Sequence, residues 1–165
     1  MIETDIEGAA LAIVDAFGPD FIQLAPPDED HFDSVHIAEY VAFAMLGAVG
    51  SGITAGIKEW TKDKTVTVLD SVASQIRRML PGALRKPFSH RQTPEMLEIN
   101  EKEAALSVES ARDAAAALDP AAVDAVLSVS AATARATLEQ MGVDAAVSQS
   151  VYEELDRQLV IVIRR

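Results

Sequence analysis

The densest concentration of metal-ligating side chains is Asp28-Glu29-Asp30-His31, followed closely by Asp33, His36 and Glu39. Imidazole nitrogens and carboxylate oxygens of this kind bind Zn²⁺ and similar divalent ions. The spacing argues against a metal centre. His31 and His36 fall on either side of an expected loop-to-helix boundary, and the His-Glu-x-x-His arrangement is absent. His36 and Glu39 can share a helix face, but two ligands do not complete a site. A solvated acidic loop with helix-start charges explains the same residues more simply, so no metal is expected.

Other chemistry fares no better. His90 lies in the basic run Arg85-Lys86-Pro87-Phe88-Ser89-His90-Arg91, which suits a solvated linker better than an anion site. No anchoring motif brings a nucleophile, a base and an orienting acid together. Gly47-x-x-Gly50-x-Gly52 has the wrong order and surroundings for a dinucleotide or phosphate loop. The chain has 0 cysteines, which removes disulfides, thiolate metal sites and cysteine nucleophiles. The expectation is a non-enzyme without catalytic residues or cofactors.

Charge is distributed in blocks. Residues 1–57 carry ten acidic side chains and no Lys or Arg, residues 58–91 carry eight basic against three acidic, and residues 92–165 carry thirteen acidic against six basic. The basic middle either packs beside an acidic segment of its own chain or docks on an acidic surface of another, where opposite patches speed encounter and fix register. With a net charge of -12, general nucleic-acid binding is disfavoured, because the acidic surroundings repel phosphate. A local contact through Arg77, Arg78, Arg85, Lys86 and Arg91 stays open.

These residues must be positioned by helices. The chain is 49% apolar but only 5% aromatic, so its core has to be built from Ala, Val, Leu, Ile and Met. Thr4-x-x-Glu7 has the spacing of a capping box, and Ile6, Ala9, Ala10, Ile13, Val14 and Phe17 recur at helical spacing up to Gly18-Pro19. Ala25 to Asp30 reads as a Pro-containing loop. A second helix is expected from about Val35 to Thr61. A third is expected from about Thr65 to Leu80, ending at Pro81-Gly82, although Thr65–Leu69 alone would also suit a short strand. Residues 81–93 read as a linker. Thr93-Pro94-Glu95 then starts a helix that breaks between Met96 and Asn100 and resumes through Leu118. Asp119-Pro120 opens the next, as far as Gly142. The last begins near Asp144, with 159–163 as a possible edge strand.

The most distinctive stretch is Val41 to Ile57, seventeen residues without a charge. Ala44, Ala48, Gly52 and Gly56 fall four apart and make a smooth strip where another helix can approach closely. Each glycine inside a helix costs about 1 kcal/mol relative to Ala, so such a helix requires protein contacts in return. The run is short of the roughly 20 apolar residues of a spanning helix, and Glu39 and Lys58 flank it. Membrane association through 41–57 is the alternative function, and it is not favoured. Trp60, the sole Trp, stands at the helix end as a candidate interface anchor or core plug.

The expected fold is mainly α, a multi-helix bundle with a long Gly/Ala-rich central helix. Residues 1–90 are expected to form an N-terminal helical region with a central hairpin, and 91–165 a C-terminal three-helix region. The expected role is structural or adaptor-like, in protein–protein association that includes self-association or a larger bacterial-type complex. Its interaction residues would be Ala44, Ala48, Gly52, Gly56, Trp60, Arg77, Arg78, Arg85 and Lys86. Because Met1 to Asp5 lacks the basic patch and apolar run of a signal peptide, the expected location is cytoplasmic.

Overall fold

Most apolar residues at helical spacing are buried, with Leu11, Ile99, Leu106 and Val160 as exposed exceptions. A computed structural model of the chain describes residues 2–18, 34–63, 65–89 and 93–164. Among them are six helices and no strand: α1 Ile2–Phe17, α2 Ser34–Lys62, α3 Val68–Ser89, α4 Pro94–Ala115, α5 Pro120–Gln140 and α6 Ala145–Ile163. The protein is a mainly-α bundle.

Two caps expected from the sequence hold, and the helix start expected near Asp144 is capped by that residue. The Thr93 hydroxyl accepts from Met96 N at 3.2 Å, with Pro94 next to it in the first turn. The Asp119 carboxylate accepts from Ala122 N at 2.8 Å, and that of Asp144 from Ala146 N at 2.8 Å. Each supplies an acceptor to an N–H that has no partner within its helix. Gly18 and Gly142 take positive φ, 60° and 94°, where the chain leaves α1 and α5.

Several boundaries differ from expectation. α1 begins at Ile2, so the Thr4-x-x-Glu7 spacing lies inside the helix instead of capping it. Residues 65–67 form a turn, not a strand or the first turn of α3. Asp63 accepts from the Thr65 N–H at 3.0 Å, and Thr67 Oγ1 accepts from Asp70 N at 3.2 Å to start the helix. α3 does not stop at Pro81-Gly82 but continues to Ser89. Val72, Ile76, Leu80 and Leu84 are all fully buried, so the inward stripe runs straight past the proline. Pro81 breaks the bond to the Arg77 carbonyl, and Arg77 lies on the exposed side of the helix, where water can replace that bond. The break expected between Met96 and Asn100 is also absent, since α4 is continuous. The tail is helical to Ile163, with Leu159, Val162 and Ile163 buried.

α2 carries the most extensive packing, against α3 on one side and α4 on the other. α5 packs on α3 and α6, and α1 closes the bundle against α6, α2 and α4. The glycines of α2 give the directions. Gly52 meets Ile76 and Gly56 meets Val72, so α3 runs antiparallel to α2. Gly47 meets Ala104 and Gly50 meets Ser107, so α4 runs parallel to it. Hydroxyls inside the bundle are satisfied locally: Ser130, Thr133 and Thr137 donate to the carbonyls four residues earlier at 2.6–2.8 Å.

Candidate functional site

α3 and α4 both lie on α2, yet they do not pack appreciably on each other. A groove of about 400 Å³ opens between them. Its floor is the α2 face Ala44, Gly47, Ala48 and Ser51, spaced i, i+3, i+4, i+7 and composed only of small residues. Met79, Ala83 and Lys86 form the α3 wall, and Met96, Ile99, Asn100, Glu103 and Ser107 the α4 wall. Phe43 and Ala104 complete the lining. The volume is within the range of pockets that bury a small ligand or a few side chains.

Both ends of the groove are tied. Ser51 and Ser107 share a hydrogen bond of 3.1 Å between α2 and α4. Near the start of α4, the buried Tyr40 hydroxyl donates to the Thr93 carbonyl. Burial pushes the Tyr40 hydroxyl above its ordinary pKa; Glu95 and Glu39 act in the same direction, and a backbone hydrogen bond at Leu97 opposes them.

The interior is apolar and its rim is charged. Methionine on both walls gives adaptable, polarisable surface for apolar side chains. Lys86 stands on one rim and Glu103 on the other. Ile99 of the α4 wall is 53% exposed, and Leu106 beyond that wall, at 64%, is the most exposed large apolar side chain among the described residues. They are seven apart and therefore share a face. Such a surface can bind an apolar segment and orient it by charge. It contains no nucleophile paired with a base.

The interaction residues expected from sequence divide into three groups. Ala44 and Ala48 line the groove. Gly52 and Gly56 are instead covered by α3: a methyl group on Gly56 would lie 2.5 Å from Val72 Cα, and one on Gly52 would lie 2.6 Å from Ile76 Cγ1. Trp60 is half-buried in a separate hollow of about 360 Å³ with Thr65, Val66 and Thr67 of the turn, Val68 and Leu69 of α3, and Ala122 and Ala125 of α5. Arg77, Arg78 and Arg85 are exposed, and none pairs with a carboxylate among the described residues. Lys86 lies at the groove rim. Arg78 and Arg85, seven apart, share the exposed outer face of α3, about 100–120° around the helix from Met79 and outside the groove lining, while Arg77 falls nearly half a turn away from Met79.

Gly50 was not part of the expected strip. A methyl group there would lie 2.9 Å from the Ser107 carbonyl, so this glycine sets the α2–α4 approach. The groove-lining residues of α4 also escaped the sequence reading, because that segment was expected to be broken. A continuous Met96–Ile99–Glu103–Leu106 spacing was the available signal.

His31 with Asp28 to Asp33, and likewise His90 and Arg91, lie outside the described residues, as does the side chain of His36. Among the described residues no group of three or more His, Asp or Glu side chains could hold a metal ion. Two stretches, Ala38–Lys62 and Pro120–Gln140, are long and apolar enough to cross a membrane, and 72% and 50% of their most apolar windows are buried within the bundle. No protein-family model matches the chain, and neither does any characterised protein or solved structure.

Proposed function

We propose that this small all-helical bundle is a non-catalytic structural or adaptor module that holds another protein chain on its α3–α4 face, self-association included. In this reading α2 is the Gly/Ala-rich central helix. Its glycines seat α3 and α4 closely, and its small residues leave a floor on which the apolar face of a partner can lie. Helix-in-groove recognition needs an apolar channel with a polar rim. The observation that carries the reading is the open groove itself, with Ile99 and Leu106 bare beside it.

The test is a photo-crosslinking residue placed at Ile99 or, on the far surface, at Val160 of α6, in cells that express the protein. Protein adducts from Ile99 and few from Val160 are expected. No adducts at Ile99, or equal yields from the two positions, would overturn the reading.

A second reading, membrane association through the 41–57 stretch, draws support from the length and hydropathy of Ala38–Lys62. It requires the bundle to open, because most of that surface is already covered. Co-sedimentation with anionic vesicles, accompanied by loss of the folded bundle's protection from proteolysis, is its signature.

A further inference from the structure

Resting on the docking reading above, we infer that the occupant of the α3–α4 face is a second copy of this chain, related by a two-fold axis that runs along the groove. An isologous contact requires a patch that is complementary to itself. This face has that property, because its α3 side is basic and its α4 side acidic. Arg78 and Arg85 on α3 are exposed and unpaired among the described residues, whereas Glu103 on α4 points to the groove. A dyad along the groove lays α3 of each copy over α4 of the other. Since α3 and α4 run in opposite directions, the four helices become antiparallel neighbours, the arrangement of a simple four-helix bundle.

The register follows from the intrachain contacts. Such an axis leaves every residue at its own height. Gly52 is level with Ile76 and Gly47 with Ala104. Counting along the helices, Glu103 is then level with Gly82, where an added methyl group would meet nothing within 4 Å. Arg78 and Arg85 stand about one turn to either side, roughly 6 and 4.5 Å along the axis, within reach of a guanidinium. Glu103 of one copy is therefore received over Gly82 between the two arginines of the other, and the contact is repeated by symmetry.

The size of the face is adequate. α3 and α4 have 22 residues each. Helices of that length are about 33 Å long and about 10 Å wide, so the pair presents on the order of 700 Å², against about 800 Å² per partner in a stable complex.

Light scattering and sedimentation of the full chain at low salt test the inference. The wild type is expected to be a dimer that weakens at about 1 M salt. Arg78→Glu with Arg85→Glu, and separately Glu103→Lys, are each expected to weaken dimerisation at least tenfold or so, since every reversal acts twice across the dyad. Mixed together, the two variants regain complementary charges in both contacts, and a 1:1 heterodimer should form. All three positions are exposed, and circular dichroism checks that the helices persist. As an independent measurement, mixing Gly82→Cys with Glu103→Cys chains in an otherwise cysteine-free protein should yield a disulfide-linked pair faster than either chain alone. A monomeric wild type, no heterodimer on mixing, or equal cross-linking of each chain with itself would overturn the second-copy assignment. If Ile99 then still gives adducts with other proteins, the docking reading survives. If Ile99 gives none, both fall.

Discussion

The two ends of α2 are built from the same kinds of residue and have opposite fates. Toward its C-terminal half, Gly52 and Gly56 are sealed under α3 so tightly that an added methyl group would fall 2.5–2.6 Å from Val72 and Ile76. Toward its N-terminal half, Ala44, Gly47 and Ala48 floor an open groove, and a methyl group on Gly47 would meet only Ala104 Cα at an ordinary 3.7 Å. A small residue on a helix thus has two distinct uses. One allows a neighbour's backbone to come close; the other keeps a surface low so that something else can lie there.

Enlarging a residue at the sealed end should produce the largest effect. Gly52→Leu forces a branched side chain into Ile76, first its side chain and then its backbone, and overpacking of this kind costs about 3 kcal/mol, against roughly 1 kcal/mol returned by helix propensity. The urea midpoint should fall accordingly. An unchanged midpoint would mean that α3 is not seated on Gly52, and the contrast between the two ends would disappear.

The contrast was only half legible in the sequence. The spacing of Ala44, Ala48, Gly52 and Gly56 identified a strip of close approach, and Thr93, Asp119 and Asp144 marked helix starts that the structure keeps. Small side chains, however, carry no signal about who covers them. α3 covers two of the four because its stripe Val72–Ile76–Leu80–Leu84 descends on that half of α2. The punctuation at Pro81-Gly82 was misleading for a related reason. Pro and Gly together cost a helix several kcal/mol by intrinsic propensity, but four fully buried aliphatic side chains offset that locally. Because α3 was expected to end at Leu80, Ala83 and Lys86 could not be recognised as a groove wall. Likewise, the break expected between Met96 and Asn100 is absent, and in the continuous α4 Asn100 lines the groove.

At the open end the same kind of substitution should have the opposite sign. Gly47→Ala places its methyl group in ordinary contact and removes the entropic cost of a helical glycine, so a gain of about 0.5–1 kcal/mol is expected. Gly56→Ala, the matched change at the sealed end, should instead lose about 1–2 kcal/mol against the Val72 backbone. Thermal unfolding of the pair gives the comparison directly, since both changes add the same atoms. If the two shifts share a sign, the groove floor is packed as tightly as the seam.

An effect of similar size to the Gly47→Ala gain concerns the tie that closes the open end. Tyr40 is buried where α2 meets the start of α4, and its hydroxyl donates to the Thr93 carbonyl. Its pKa is raised in the folded protein, burial being the main cause, so the folded state holds this proton more firmly than the unfolded chain does. The stabilisation is therefore complete below the unfolded tyrosine pKa of about 10 and is lost as pH rises through the higher folded value. Tyr40→Phe removes both the hydrogen bond and the titration. Wild type should exceed the variant in urea midpoint at pH 8 by an amount typical of one hydrogen bond, about 1 kcal/mol, and that advantage should shrink as pH rises above the unfolded tyrosine value of about 10. Tyr152 is common to both proteins and cancels in the difference. A difference that stays flat across this range would show that the phenol reaches water, and the groove would then be open at its α4 end as well as along its top.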